Sequence, residues 1–352
     1  MSTGARRRRR RRVLVLTHQR YEHREDISDV SDKEFAGWKT EHDVVEALHS
    51  LGHETEVIGG AADIAEVREA LVRWKPHIVF NLLEEFGGAG VYVPYLLGWL
   101  ELMGVPFTGC NPGGLQLADS KQLMKKVLRF HRIPSPDFAI FPRGRVARRP
   151  RRLDLPLIVK SAVAHGSVGI SQASVVTTDE KLAERVEFVH EHLNTDAIAE
   201  QYIDGRELYV GLLGNHRLET FPIWELSFDN LAEGAAAIAT EKVKWDLSYQ
   251  QRRGIRSGLS RRLPNGVAER LVRLSKRVYR TLGLSGYARM DFRLTEGSEL
   301  FLLEPNPNPD LALDEDFALS AKAGGITFQQ LIHRIVAAGL AYHRGGATSS
   351  PR

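Results

Sequence analysis

Residues 289–306 have the sequence RMDFRLTEGSELFLLEPN, two strand-like runs joined by Gly297 and Ser298. This pattern predicts a tight β-hairpin with a two-residue turn, in which Gly297 supplies the positive φ at the first turn position. Counting outward from the turn places two pairs of residues opposite each other, Asp291 with Glu304 and Arg289 with Asn306. Because side chains alternate along a strand, these four share one face. The other face is then apolar and carries Phe292, Leu294, Phe301 and Leu303.

Two carboxylates that face each other across a hairpin indicate a bound cation. Directly opposed acids, with Cβ atoms about 5 Å apart, repel each other and destabilise a bare sheet. Mg²⁺ takes oxygen ligands, usually from one or two carboxylates, and completes its shell with water and substrate phosphates. Asp291, Glu304 and Asn306 offer such oxygens. On the spacing alone, a solvent-facing hairpin with hydrated acids remains the alternative.

The composition is that of an ordinary globular chain, apart from seven consecutive arginines at Arg6–Arg12. The 352 residues, of which 43% are hydrophobic and 26% charged, are enough for two or three domains. Subtracting the seven arginine charges from the net charge of +4 leaves −3, so the rest of the chain is slightly acidic. The run itself predicts a disordered tail, which either binds nucleic acid or anionic lipid or has no specific role.

The sequence predicts a cytoplasmic location. Only four apolar residues, Val13–Leu16, follow the arginines, which is too short for a signal peptide or a membrane span. Cys110 is the single cysteine, so the sequence excludes an internal disulfide framework and a Cys-rich zinc site.

Strands alternate with helices in the first third of the chain, which indicates a parallel sheet. The predicted strands are 12–17, 53–58, 77–81 and a short one at 106–108, and the predicted helices are 39–51, 64–74 and 93–103. Ligands bind at the carboxyl ends of strands in open α/β sheets, so segments 17–25 and 81–90 are expected to line a substrate mouth.

A second pattern begins at Asp119. The predicted helices are 121–130, 181–192, 267–282 and 327–341, and the predicted strands are 157–160, 170–176 and 196–203, with a sheet from 208 onwards. A glycine loop at 165–169 follows the strand 157–160, and an arginine-dense connection at 143–152 precedes it. Segment 232–260 is expected to be a long irregular loop. Glycines allow a backbone to approach a phosphate closely, so the loop 165–169 suits phosphate binding.

Five motifs in a fixed order resemble those of the ATP-grasp superfamily. They are Lys121, the strand 157–160 with its glycine loop, Glu200–Ile203 with Glu207, Arg289–Asp291, and Leu303–Asn306. Within the superfamily the chain is most similar to D-alanine-D-alanine ligases, from about residue 76 to 340. Segments 79–81, 100–109, 118–121 and 283–289 add to that likeness. No Walker A loop or dinucleotide fingerprint is present.

The resemblance implies an ATP-grasp fold, α/β overall and α+β in the C-terminal half, preceded by a Rossmann-like parallel-sheet domain. The expected divisions are a disordered Arg-rich tail at 1–12, an N-terminal α/β domain at 13–118, a central subdomain with the glycine loop at 119–206, a C-terminal subdomain with the metal hairpin at 207–343, and a disordered tail at 344–352.

The same resemblance implies a role for each matching residue. The ATP phosphates would contact Lys121, Lys160, Gly166, Ser167, Val168 and Gly169. The adenine would meet Glu200, Gln201, Tyr202 and Ile203, and Glu207 would bind the ribose. Lys244 would reach the γ-phosphate, and Arg289 would stabilise charge on the transferring phosphoryl group or on the tetrahedral intermediate. Two Mg²⁺ ions, or Mn²⁺ in their place, would be held by Asp291, Glu304 and Asn306.

The implied activity is an ATP-dependent carboxylate-amine ligase that acts through an acyl phosphate on small substrates such as amino acids or short peptides. The sequence leaves the oligomeric state open, with a homodimer as one candidate. Two other classes stay open: a nucleic-acid or anionic-surface binder that uses its arginine clusters, and a regulator that binds ATP without consuming it. No aromatic-interleaved basic groove supports the first of these, so nucleic acid is not an expected partner.

The sequence departs from the ligases around the substrates. Gly166 and Trp245 stand where the family carries a serine and a tyrosine, and only Glu22 is a candidate for its N-terminal glutamate. Beyond Asn306, the acids Asp310, Asp314 and Glu315 enter a stretch that normally presents a glycine amide. These acids would repel an amino-acid carboxylate and favour a cationic amine. We therefore expect an altered acceptor specificity.

Overall fold

A parallel three-stranded sheet forms at the N-terminal end of the chain, as predicted. The computed structural model describes residues 10–17, 21, 24, 30–59, 63–163, 166–231 and 234–342. The sheet has the order β2-β1-β3, with strands β1 (Arg12–Thr17), β2 (Glu54–Gly59) and β3 (Ile78–Leu82). The helices around it are α1 (Asp32–Ala36), α2 (Lys39–Ser50), α3 (Ile64–Trp74) and α4 (Val93–Leu102). The strand expected at 106–108 is reduced to one parallel bridge between Phe107 and Val79.

The end of the arginine run contacts this sheet. Residues 1–9 of the predicted tail lie outside the described residues, as do 344–352. Arg10 forms an ion pair with Glu54, with Nε 3.0 Å from Oε1. Arg12 opens β1, and its guanidinium donates to the carbonyl of Lys75, 2.7 Å from Nη2, just beyond the end of α3. Arginine charge near a helix C-terminus complements the helix dipole.

Two helices connect the parallel sheet to the rest of the chain. Helix α6 (Lys121–Phe130) was predicted, whereas α5 (Pro112–Asp119) was not, because Gly113 and Gly114 weaken its helical signal. Asn111 caps α5 by accepting from the N–H of Gly114, and Gly114 itself is required by packing, since a Cβ there would lie 2.7 Å from the sulfur of Cys110.

A four-stranded antiparallel sheet follows, with the order β4-β7-β5-β6. Its strands are β4 (Phe138–Phe141), β5 (Leu157–Ser161), β6 (Val175–Val176) and β7 (Ala197–Gln201), and helix α7 (Asp179–His192) packs on it. The return strand predicted at 170–176 was largely wrong. A 3₁₀ turn at Gln172–Ser174, closed by reciprocal hydrogen bonds between Ser171 and Ser174, shortens it to two residues. This sheet has its own hydrophobic core.

A six-stranded antiparallel sheet completes the fold, with the order β11-β10-β8-β12-β13 and β9 paired to β8. Its strands are β8 (Arg206–Leu213), β9 (Glu219–Thr220), β10 (Trp224–Phe228), β11 (Ile255–Leu259), β12 (Tyr287–Leu294) and β13 (Leu300–Pro307). The prediction of an irregular segment at 232–260 was wrong, because it contains α8 (Glu241–Trp245), α9 (Leu247–Arg253) and β11. Thr240 and Asp246 cap the two short helices.

The decisive hairpin is formed by β12 and β13, and it has the predicted outer register by a different route. Asp291 pairs with Glu304, and Arg289 pairs with Asn306. The turn, however, is a three-residue loop at 296–298, in which Ser298 rather than Gly297 has positive φ, at 62°. A bulge between Asp291 and Phe292 then adds one residue on the opposite strand, which restores the outer register.

The longer loop changes which residues of β13 face the core. Leu300 and Leu302 are buried there, whereas Phe301 and Leu303, which we expected inside, are only partly buried and lie outside the hydrophobic clusters. On β12 the predicted core residues Phe292 and Leu294 are buried. Helix α10 (Val267–Thr281) contributes to the same core.

The last two helices return to the N-terminal sheet. They are α11 (Asp316–Ala323) and α12 (Phe328–Ala341). Leu331, Ile332 and Ile335 of α12 share a hydrophobic cluster with β1, α2 and β3. In the part of the chain that the structure describes, no helix combines the length and hydropathy needed to cross a membrane.

The hairpin loop gives a prediction about Gly297. Gly297→Ala should raise the free energy of unfolding by about 0.4–1 kcal/mol, because Gly297 does not use positive φ and an added Cβ would meet only Thr295 Oγ1 at 3.8 Å. Chemical denaturation measures the change.

The control is Gly205→Ala in the same sheet. Gly205 has φ 141°, and a Cβ there would lie 2.1 Å from the Leu294 carbonyl, so this variant should lose stability. A clear loss of stability in Gly297→Ala would instead support the two-residue turn.

Candidate active site

A buried carboxylate on the four-stranded sheet binds two lysines. Glu200, near the end of β7, is 1% exposed. Its Oε2 lies 3.1 Å from Nζ of Lys160 on β5, and its Oε1 lies 3.4 Å from Nζ of Lys125 on α6. Burial raises the pKa of Glu200, but the two ammonium groups outweigh it, and the net shift is downward. The cluster therefore carries three charges inside the protein.

The sequence analysis missed Lys125. Helix α6 turns Lys121 and Lys125, four residues apart, toward the interior together with Met124 and Leu128. Burial lowers the pKa of both lysines, and the neighbouring carboxylates oppose that shift. The signal was present in the sequence, since two lysines at i and i+4 share the helix face that carries the apolar residues.

The polar face of the hairpin lies within electrostatic reach of these lysines. The Glu304 carboxylate affects the pKa of Lys121, Lys125 and Lys160, and it also raises that of Asp119. For Asp119, burial is the larger cause, and its pKa is raised to about 6. The structure thus brings together two predicted groups, the lysines expected to contact phosphate and the acids of the hairpin.

Arginine supplies positive charge beside the opposed carboxylates. Arg289 donates from Nε and Nη2 to the two oxygens of Asp291, at 2.8 and 2.9 Å, and Asn306 Nδ2 donates to the same carboxylate at 2.7 Å. Burial raises the pKa of Asp291 to about 6, and Arg289 works against that rise. The guanidinium carbon of Arg289 also lies 4.5 Å from the ring centre of Tyr209 on β8.

The hairpin residues suit a magnesium ion that substrate phosphates help to bind. In the described residues, no group of three or more His, Cys, Asp or Glu side chains is arranged to hold a metal. Asp291 and Glu304 provide two carboxylates across one strand pair, and Asn306 provides an amide beside them. Two carboxylates with space for phosphate oxygens is the usual protein share of a Mg²⁺ site. The donor set therefore fits that ion.

The expected nucleotide residues lie at the ends of two strands. Glu207 on β8 accepts from Arg293 Nη2 and from the Tyr209 hydroxyl, both at 2.8 Å. The N–H groups of Gln201 and Tyr202 donate to the carbonyls of Asp137 and Pro156, and Ile203 is buried beside them. Glu207 is thus fixed on the sheet that carries Arg289.

Four hydrogen bonds join the end of the glycine loop and the residues just after it to the segment that carries Lys244. Glu241 accepts from the N–H of Gly169 at 3.1 Å, and its own N–H donates to Ile170 at 3.1 Å. The Gln172 side chain exchanges two bonds with the backbone of Ala236, at 2.9 and 3.0 Å. Lys244 is exposed on α8. This set of bonds, the loop clasp, joins the segment that follows β5 to the segment between β10 and β11.

Within the loop, Gly166, Ser167 and Gly169 have positive φ, and Val168 is exposed. The buried guanidinium of Arg185, on α7, contacts the carbonyl of Gly169. His165 lies outside the described residues.

The acids beyond Asn306 face helix α2. Thr40 donates to Asp310 at 2.6 Å, and Lys39 forms an ion pair with Asp314. Asp316 accepts from Trp224 Nε1 at 3.0 Å and from Ser257 Oγ at 2.5 Å. Glu315 lies beside them. Desolvation and the charges of Asp310 and Asp316, opposed by Arg289, raise the pKa of its carboxyl group to about 7. This stretch, residues 310–316, is the acidic loop. The expected mouth residue Glu22 and the side chain of Trp245 lie outside the described part of the chain.

Comparison with known proteins shows which family the chain resembles. A family model described as the C-terminus of D-Ala–D-Ala ligase matches residues 127–337. A D-alanine–D-alanine ligase from Desulforudis audaxviator is 30% identical over 83% of this chain and 90% of its own length. An uncharacterized protein, y4sG, from Sinorhizobium fredii is 31% identical over 83% of this chain and 85% of that one.

Solved structures share the fold. A crystal structure of D-alanine–D-alanine ligase from Bacillus anthracis complexed with ATP has a TM-score of 0.69 and 21% identity, and it covers 94% of this chain and 97% of that one. The ligase from Coxiella burnetii gives a TM-score of 0.69 at 18% identity, with 94% of each chain covered. At this level of identity the likeness concerns the fold alone, and that fold is ATP-grasp.

The buried ion pair between Lys125 and Glu200 gives a prediction. Lys125→Met should lower the free energy of unfolding by about 3–5 kcal/mol, because it leaves Glu200 with one partner instead of two in a site without solvent. Lys126→Met, on the exposed side of the same helix, should change it by less than about 0.5 kcal/mol. Urea denaturation compares the two.

A double variant checks the cause. Glu200→Gln combined with Lys125→Met removes one charge of each sign and should cost less than the two single changes added together. Equal, small losses in Lys125→Met and Lys126→Met would show that the buried pair contributes nothing to stability.

Proposed function

The chain belongs to the D-alanine–D-alanine ligase family, and on that premise we propose that it joins a carboxylate to an amine with ATP as the energy source. The observation that carries the proposal is the meeting of two charge clusters. The lysines around Glu200 lie within electrostatic reach of Glu304, and Glu304 pairs with Asp291 beside Arg289. Such a site offers fixed cations to a polyphosphate and fixed oxygens to its counter-ions.

The proposed reaction has two steps. A carboxylate oxygen of the first substrate attacks the γ-phosphorus of ATP, the bond to the bridging oxygen breaks, and ADP leaves. The amine of the second substrate then attacks the carbonyl carbon of the acyl phosphate, the C–N bond forms, and phosphate departs with the electron pair of the C–O bond. The amine proton passes to solvent. No enzyme nucleophile is required, so catalysis consists of positioning and charge stabilisation.

The chain's own residues divide these tasks. Lys121 and Lys160 contact phosphate oxygens, the glycine loop at 166–169 covers them, and Lys244 reaches the γ-phosphate from α8. Arg289 stabilises the negative charge that develops at the reacting centre.

The nucleotide and the metal are assigned to the remaining site residues. Glu207 holds the ribose, and residues 201–203 meet the adenine. Because Glu200 already balances two lysines, we assign it mainly to charge compensation. Asp291, Glu304 and Asn306 would hold the metal, for which we propose two Mg²⁺ ions, with Mn²⁺ as a substitute. When bound, these ions would neutralise negative charge on the phosphates.

A cytoplasmic location, expected from the sequence, and a homodimer, one candidate assembly, remain predictions.

Hydrolysis of ATP without formation of an amide product would point to a different activity. Nucleotide binding with no phosphate release from any substrate would favour the alternative class, a regulator that binds ATP without consuming it.

The metal assignment predicts the result of two isosteric changes. Asp291→Asn and Glu304→Gln should each lower kcat by at least about 100-fold and weaken the dependence of the rate on Mg²⁺, since each removes one of two carboxylate ligands. Phosphate release from ATP, with a panel of amino acids and amines, measures both effects. The exposed control Glu219→Gln should behave like the wild type. Full activity in both carboxylate variants would disprove the metal site.

The acidic loop predicts the charge of the amine substrate, which is the acceptor. We propose that the amine substrate is cationic and lacks an adjacent carboxylate, because Glu315, Asp310 and Asp314 would repel that carboxylate. In the phosphate-release assay, 1,4-diaminobutane should have a lower KM than D-alanine in the acceptor role. Glu315→Gln should raise the KM of the diamine about tenfold and leave the KM of ATP unchanged. If D-alanine is the single best acceptor, the proposed preference for a cationic amine is wrong.

A further inference from the structure

Tyr209 lies between two groups to which the proposed function gives separate roles. It pairs with Asp291 of β12 and with Trp224 of β10, in the middle of the six-stranded sheet, and it is 4% exposed. Its hydroxyl donates to Glu207 Oε1 at 2.8 Å, and its ring centre lies 4.5 Å from the guanidinium carbon of Arg289. One side chain therefore touches the proposed ribose residue and the proposed catalytic arginine.

Arg289 needs a partner other than Asp291. Both oxygens of Asp291 accept from Arg289, and one of them also accepts from Asn306. A cation bound by Asp291 competes for those same oxygens, so the bidentate pair cannot persist unchanged when the site is loaded. A guanidinium released from its carboxylate has several rotamers available, and a misplaced charge contributes little to catalysis.

Two contacts of Arg289 do not depend on Asp291. The Oδ2 atom of Asp316 lies 3.8 Å from Nη1, at the edge of ion-pair distance. Asp316 is itself held by Trp224 and Ser257, so it is a fixed but distant partner. The ring of Tyr209, whose centre lies 4.5 Å from the guanidinium carbon, is immobilised by burial, and a cation over an aromatic face is stabilised more when both are desolvated.

We propose that Tyr209 is a positioning residue with two separable functions. Its ring face holds Arg289 in place while Asp291 binds the metal, and its hydroxyl holds Glu207 in the orientation that meets the ribose. The side chain thereby sets the spacing between the nucleotide end and the reacting end of the site. This inference rests on the roles proposed above for Glu207 and Arg289.

Two substitutions separate the two functions. Tyr209→Phe keeps the ring and removes the hydroxyl, so the affinity for ADP should fall about tenfold while kcat stays within about twofold. Tyr209→Leu removes the ring as well, so kcat should fall about tenfold further. Calorimetric titration with ADP gives the affinity. Phosphate release, with the donor and acceptor that give the highest wild-type rate in the amino-acid and amine panel, gives kcat.

A stability measurement on the full-length chain tests the ring contact without any turnover. The losses in melting temperature caused by Tyr209→Leu and Arg289→Met should be non-additive in the double variant, because both remove the same contact. Should Tyr209→Leu fail to fold, Tyr209→Met fills more of the volume and serves in its place.

The outcomes distinguish the inference from the proposed function. A wild-type protein that releases no phosphate with any substrate overturns the proposed function, and the melting temperatures still decide whether the ring holds Arg289. Additive losses overturn the ring contact. With an active wild type, equal values of kcat in Tyr209→Leu and Tyr209→Phe overturn the positioning role, as does a Tyr209→Phe variant with wild-type affinity for ADP.

Discussion

The pairing of Asp291 with Glu304 is the constraint on which the rest of the site depends. Two carboxylates side by side across a strand pair are unfavourable unless cations surround them. Arg289 on the same hairpin provides one such charge, and the lysines of the four-stranded sheet provide others at longer range. The acids of the six-stranded sheet and the lysines of the four-stranded sheet therefore form one electrostatic centre, and neither sheet neutralises its charges alone.

The same centre explains why so many ionisable groups are buried. Lys125, Lys160 and Glu200 form one buried group with a net positive charge, and Arg293 with Glu207 forms a neutral pair. A buried ion pair adds little to stability compared with apolar packing, although breaking one is costly. Their value lies in orientation, since a charge fixed by several partners needs no reorganisation when a phosphate arrives. Stability of the sheets comes instead from the apolar faces on the other side of the same strands.

Most of the strands and the main site could be predicted from the sequence because they depend on local patterns. The continuous apolar run at 13–16 predicted β1, the helical spacing of apolar residues predicted α3, and the order of the motifs predicted that Lys121, Lys160 and Asp291 belong to one site. The hairpin register was correct through two compensating differences, a longer loop and a bulge, neither of which the residue pattern reveals. Helix α5 was hidden by glycines that packing requires, and the partners of Gly169 and Gln172 lie in a distant segment that no local pattern indicates.

The return of α12 to the N-terminal sheet has a consequence for biosynthesis. Strand β1 is translated first, yet the cluster that buries it includes Leu331, Ile332 and Ile335 from the last described helix. The part of this cluster that α12 completes stays open to water until that helix has left the ribosome. The four-stranded sheet, with a core of its own, can finish folding earlier. The nascent chain is therefore expected to carry an exposed apolar sheet for most of its synthesis, the state in which chaperones act.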